Sequence, residues 1–123
     1  MTELIYRELS EQIIGAAMAV HNELRPGLDE KLYENALCIE FAERGLRFEQ
    51  QQSFPVYYKS HFVGKLVPDL IVEAKIVLDT KVVQAFNDTH IAQMLGYLNI
   101  TTLRLGLLID FKHATLQWKR IVR

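Results

Sequence analysis

Apolar residues recur near the start of the chain at spacings of three and four: Ile5, Leu9, Ile13, Ala16, Val20 and Leu24. That spacing puts them on one stripe of a helix. A helix is expected over residues 2–24, with Thr2 as its cap and Glu3 in the first turn, where the helix dipole favours a carboxylate. Arg25, Pro26 and Gly27 break the pattern. A second helix is expected from Leu28 to Arg44, with Gly45 as the residue that ends it.

The periodicity then changes. Leu46 to Gln52, Phe54 to Lys59, His61 to Val72 and Ile76 to Val83 are rich in β-branched and aromatic residues and read as strands. Ser60-His61 and Glu73-Ala74-Lys75 read as the turns of hairpins. Asn87 or Asp88 can cap a third helix that ends near Asn99. Strands follow at Leu103 to Phe111 and Thr115 to Val122. The run Leu103 to Ile109 is almost wholly apolar, as a strand covered on both faces should be. The expected fold is α/β or α+β: one domain over residues 1–123, with a mixed central sheet flanked by helices.

Composition supports this and narrows the setting. A chain of 123 residues, half of them apolar, can bury one core without disulfides. The lone Cys38 sits among Ala36, Leu37, Ile39 and Phe41 and reads as an inert core thiol. No run approaches the roughly 18 apolar residues of a membrane span. A reducing, cytoplasmic setting is expected. The formal net charge of −1 counts against a dedicated nucleic-acid-binding module, which would be more basic. It leaves open an enzyme that meets phosphate through a metal ion.

The candidate chemistry lies in two strands. Asp79 and Lys81 are two apart, so they project from one face of a strand. A short turn folds the strand that carries Asp69 back beside them. Their neighbours Leu70, Ile71, Val72, Ile76, Val77, Leu78, Val82 and Val83 are apolar. Acids in such surroundings cost stability unless compensated, and a divalent cation compensates them. A surface ion pair of Asp79 with Lys81 is the plainer alternative. On the third helix His90, Gln93 and Tyr97 share a polar line beside the apolar arc of Ile91, Met94, Leu95 and Leu98. On the second, Glu30 and Tyr33 share a face with Leu37. Glu30 is read either as a further ligand or as a first-turn acid placed by the dipole.

These residues together resemble the GxxExxY family of the PD-(D/E)XK nuclease superfamily. The naming motif stands at Gly27-Leu28-Asp29-Glu30-Lys31-Leu32-Tyr33, preceded by His21. Tyr58-Lys59 precedes a hairpin with Asp69, Asp79 and Lys81. Gln93 and Tyr97 follow, after His90, then Gly106 to Phe111 and Lys119-Arg120. The chain departs from the family pattern at Asp79, where glutamate is commoner, and at the turn residues Arg25 and Ser60.

The resemblance implies a restriction-endonuclease-like core and a metal-dependent nuclease acting on DNA. It implies Mg²⁺ or Mn²⁺ held by Asp69, Asp79, the backbone carbonyl of Thr80, and Glu30. Asp69, Asp79, Lys81, Glu30 and Gln93 would be catalytic. Tyr97, His90, Tyr33 and Arg120 would meet the substrate. The alternative is a non-catalytic module on the same fold, gripping nucleic acid through Arg104, Lys112, Lys119, Arg120 and Arg123, or acting as a homodimer or a subunit of a larger assembly. Trp118, on the last strand, is read as ordinary core, with an interface role as the alternative in that case.

Overall fold

The computed structural model describes residues 4–123. The expected cap at Thr2 and the acid at Glu3 lie outside the described residues. Helix α1 spans Arg7–Leu24 and α2 Glu30–Glu43. Strands β1 (Phe48–Gln50), β2 (Phe54–Tyr58), β3 (His61–Leu66), β4 (Leu70–Val72) and β5 (Ile76–Lys81) follow. Helix α3 (Asp88–Thr101) then leads to β6 (Leu105–Asp110) and β7 (Gln117–Val122).

Five strands form one sheet in the order β1-β4-β5-β6-β7, and β2 and β3 form a separate two-stranded ribbon. β5 and β6 run parallel, joined by the α3 crossover; the other pairs of the sheet are antiparallel. This is the mixed sheet with flanking helices expected from the element order.

Strand alternation assigns the two faces. Leu70, Val72, Ile76, Leu78, Leu105, Leu107 and Ile109 pack with Ile13, Ala16, Ala17 and Val20 of α1 and Tyr33, Leu37 and Phe41 of α2. On the opposite face Ile71, Val77, Leu108 and Ile121 pack with Met94 and Leu98 of α3. Every residue of β6 is buried, as its apolar run requires. Asp79 and Lys81 continue the Val77 side and so lie on the α3 face.

Two expectations need correction. His61 to Val72 is not one strand. The ribbon strand β3 stops at Leu66, and the sheet strand β4 starts at Leu70. Pro68 has no N–H to give a ladder, and the Asp69 side chain bonds to Thr80 instead of leaving the strand continuous. The first helix begins at Arg7 because Tyr6 takes a left-handed conformation (φ 52°). Both hairpin turns carry two successive residues at positive φ, Lys59-Ser60 and Glu73-Ala74, the hand that matches strand twist.

Candidate metal centre

The β4–β5 hairpin builds the centre. Its register pairs Leu70 with Leu78. Carried one residue further, that register sets Asp69 opposite Asp79. The Asp69 carboxylate turns back on β5: its Oδ2 accepts from the Thr80 backbone N–H (2.9 Å) and from Thr80 Oγ1 (3.1 Å). Glu30 enters from the other side as the first residue of α2. One carboxylate oxygen from each of Glu30, Asp69 and Asp79 lies within 4.8 Å of the others. Lys81 Nζ stands 3.1 Å from Asp79 Oδ2 and 3.4 Å from Gln93 Oε1, to which it donates.

Asp79 is buried, and its Oδ2 has the Lys81 ion contact but no well-directed hydrogen bond. Burial first, then the neighbouring Asp79 carboxyl, push the Asp69 carboxyl up to about 6, against the lowering effect of the Thr80 bonds. Glu30 is also raised: burial contributes most, Lys81 opposes it, and Asp69 adds to it. Tyr97 is pushed up to about 12 by burial first and then by Asp79 and Asp69. Its phenol therefore stays protonated, a neutral donor in the field of the acids. A cation would relieve the crowding of the carboxylates and fill the coordination of the orphaned Asp79 oxygen. All the acidic donors are hard oxygens, with no sulfur or imidazole among them, a set that suits Mg²⁺ or Mn²⁺.

The structure does not bring every expected residue here. Tyr33 is fully buried, stacked on Phe111 at 4.5 Å; its hydroxyl donates to Arg25 O (2.6 Å) and accepts from Leu28 N–H (3.2 Å). It fixes the α1–α2 turn, and thereby the entry of Glu30. His90 is part of the α3 cap: Asn87 Oδ1 accepts from His90 N–H and His90 Nδ1 accepts from Asn87 N–H. Arg120 lies on the α1 face, donating to Ser10 Oγ (2.8 Å) and Ile5 O (2.7 Å). Trp118, on that same face, lines a hollow of about 320 Å³ with Ile14 and Met18.

Sequence reasoning missed two acids. Glu34 is buried, and its Oε2 collects Gln50 Nε2 (2.7 Å), Gln51 Nε2 (2.9 Å) and Lys31 Nζ (3.1 Å). The Gln51 amide also reaches Asp69 Oδ1 at 3.5 Å. Glu34 is four residues after Glu30, so helical spacing could have put both on the site side. Nothing in the sequence announced Gln51. Asp110 ends the apolar run of β6, fully buried, and its Oδ1 accepts from Val83 N–H (3.1 Å) and Lys112 N–H (3.0 Å). It ties down the segment that follows Lys81. An acid at the end of an apolar run was the available signal.

A family model described as the PD-(D/E)XK nuclease superfamily matches residues 7–121. The chain belongs to that superfamily. Nucleases of that superfamily generally use divalent metals, and the carboxylate cluster of Glu30, Asp69 and Asp79 is present here. Among solved structures, the crystal structure of SSO0001 superposes with a TM-score of 0.58 at 16% identity. The match covers 96% of this chain and 57% of that one, so this chain spans little more than half the length of SSO0001. At that identity the likeness is one of fold. No curated protein matches the chain. Among the described residues, no helix is long and apolar enough to cross a membrane.

Proposed function

We propose that this superfamily member is a GxxExxY-type deoxyribonuclease. It would hydrolyse the phosphodiester bond with Mg²⁺ or Mn²⁺ held by Asp69, Asp79, Glu30 and the Thr80 carbonyl. The convergence of the three carboxylates within 4.8 Å, with Lys81 at 3.1 Å from Asp79, carries the reading. When bound, the metal supplies Lewis acidity toward a phosphoryl oxygen and a bound water of lowered pKa.

The chain's own groups do the rest. Asp79 and Gln93 flank the Lys81 ammonium, and its remaining N–H would meet an incoming phosphate. There it neutralises charge as it builds and orients the attacking water. Tyr97 Oη donates to a phosphate oxygen. In the net reaction the water oxygen bonds to phosphorus and the P–O3′ bond breaks. The products are a 5′-phosphate and a 3′-hydroxyl that takes up the proton.

The test joins metal titration with cleavage. Calorimetry with Mg²⁺ and Mn²⁺ should show binding by the wild type and none by Asp69→Ala. Cleavage of plasmid and oligonucleotide DNA should need the metal and disappear in Asp69→Ala and Lys81→Ala. Activity that survives both substitutions would place the chemistry elsewhere or in a contaminant.

A further inference from the structure

The β2–β3 ribbon stands outside the main sheet and carries an unusual surface. Tyr57, Tyr58, Phe62 and Val63 are 59, 64, 63 and 61% exposed. Soluble domains rarely leave such a cluster in water unless it meets something. Tyr57 and Phe62 face each other across the ribbon, edge to face, with ring centres 6.0 Å apart. On the alternate positions Tyr58 pairs with His61, and Lys59 Nζ lies 5.3 Å over the Tyr58 ring. Residues 54–68 hold Lys59, Lys65 and His61 but none of the chain's 15 acids. This segment is a local cationic, aromatic surface on a chain of net charge −1.

The ribbon is also rooted at the metal centre. Only Val67 and Pro68 separate Leu66 at its end from Asp69, and Gln51 N–H bonds to Asp69 O at 3.0 Å, closing its base. Phe54 at its start packs on the α3 side of the core. Five extended residues put the tip about 17 Å from that base.

We propose that the ribbon is a base-stacking wing that holds an unpaired stretch of polynucleotide and leads it to the acids. Exposed rings with interspersed lysines match what binds single strands: every base has a π face, and the backbone is anionic. Bases inside a duplex are already stacked and cannot use these rings. The substrate class would thus be single-stranded DNA, or duplex DNA with an unpaired flap or end. The inference rests on the nuclease reading above and refines its substrate.

Binding separates the two. The probes are fluorescent dT20 and a blunt 20-base-pair duplex, at low salt with Ca²⁺ present. The variants are Tyr57→Ala/Phe62→Ala and Tyr57→Leu/Phe62→Leu; the second keeps apolar bulk should the first fail to fold. Loss of stacking should weaken dT20 binding roughly 5- to 30-fold in both, with duplex binding changed less than about two-fold. Mg²⁺ titration should be unaltered. Unchanged dT20 affinity, or equal losses on both probes, overturns the wing. So does a dimer that the substitutions split without changing dT20 affinity, which would make the ribbon a contact between copies. Wild-type cleavage that the variants retain in full on dT20 overturns the wing alone. A wild type that neither binds nor cuts either probe overturns the wing and the nuclease reading together.

Discussion

Lys81 Nζ lies 3.1 Å from Asp79 Oδ2, two residues back on the same strand, with both side chains largely covered (13 and 6% exposed). A strand gives i and i+2 a common face, so the pair is local in origin. Its burial is tertiary. Lys81→Met leaves Asp79 charged and uncompensated, which should cost about 3 kcal/mol in the metal-free protein. Cleavage should fall by about 10² or more. Chemical denaturation and single-turnover assays check the two effects separately.

Asp69 makes stability depend on pH. Its folded carboxyl titrates at about 6, against an ordinary 3.8. The folded state therefore holds the proton more tightly than the unfolded one, and stability from this group falls as pH rises through that window. The cost is fully present above about 6 and absent below the ordinary value. Metal-free Asp69→Asn should melt above the wild type at about pH 8, and the gap should close toward about pH 4. Saturating Mg²⁺ should reverse the order at the higher pH, by stabilising the wild type alone. Melting curves with chelator and with metal read out both halves. Equal melting temperatures at every pH would sink the account.

Tyr97 keeps its proton beside two acids, so its use is as a donor. Tyr97→Phe removes one hydroxyl and should slow cleavage about ten-fold, the worth of one hydrogen bond, with little change in melting temperature. A loss confined to melting temperature would make the residue a packing element only.

Gly106 sets the distance between β6 and α3. A Cβ there would overlap the Sδ and Cγ of Met94. Gly106→Ala should cost about 1–3 kcal/mol, because the methionine must leave its place in the core. Combined with Met94→Ala, the loss should be less than additive, since the second change removes the obstacle. A double-mutant cycle in urea measures this.

Arg120 is expected to matter for folding and not for substrate. Arg120→Met removes the ties to Ser10 and Ile5 and should destabilise by about 1.5–3 kcal/mol. DNA affinity and its salt dependence should stay as in the wild type. A shallower salt slope would return Arg120 to the binding surface.

The local chemistry was legible in the sequence wherever one element suffices. Asp79 and Lys81 share a strand face by period-two geometry, and Asn87 caps α3 by accepting from the His90 N–H three residues on. The apolar run at β6 gave a central strand because only burial on both faces accommodates it. The Asp69–Asp79 pairing followed from a short turn between two apolar strands.

What several elements share, the sequence could not show. Glu30 offers the same first-turn acid whether or not α2 is aimed at the hairpin. The Tyr33 hydroxyl and the left-handed Arg25 turn do the aiming. The Glu34–Gln51–Asp69 contacts join residues 17 and 18 positions apart. Arg120 reaches a chain segment more than a hundred residues away. The ribbon looked like more sheet because strand propensity records a pleated backbone and not its partner. Periodicity and turn chemistry fixed the elements and the acid–lysine hairpin. Packing alone chose which faces meet, and so which acids converge, because that choice rests on contacts far apart in the chain.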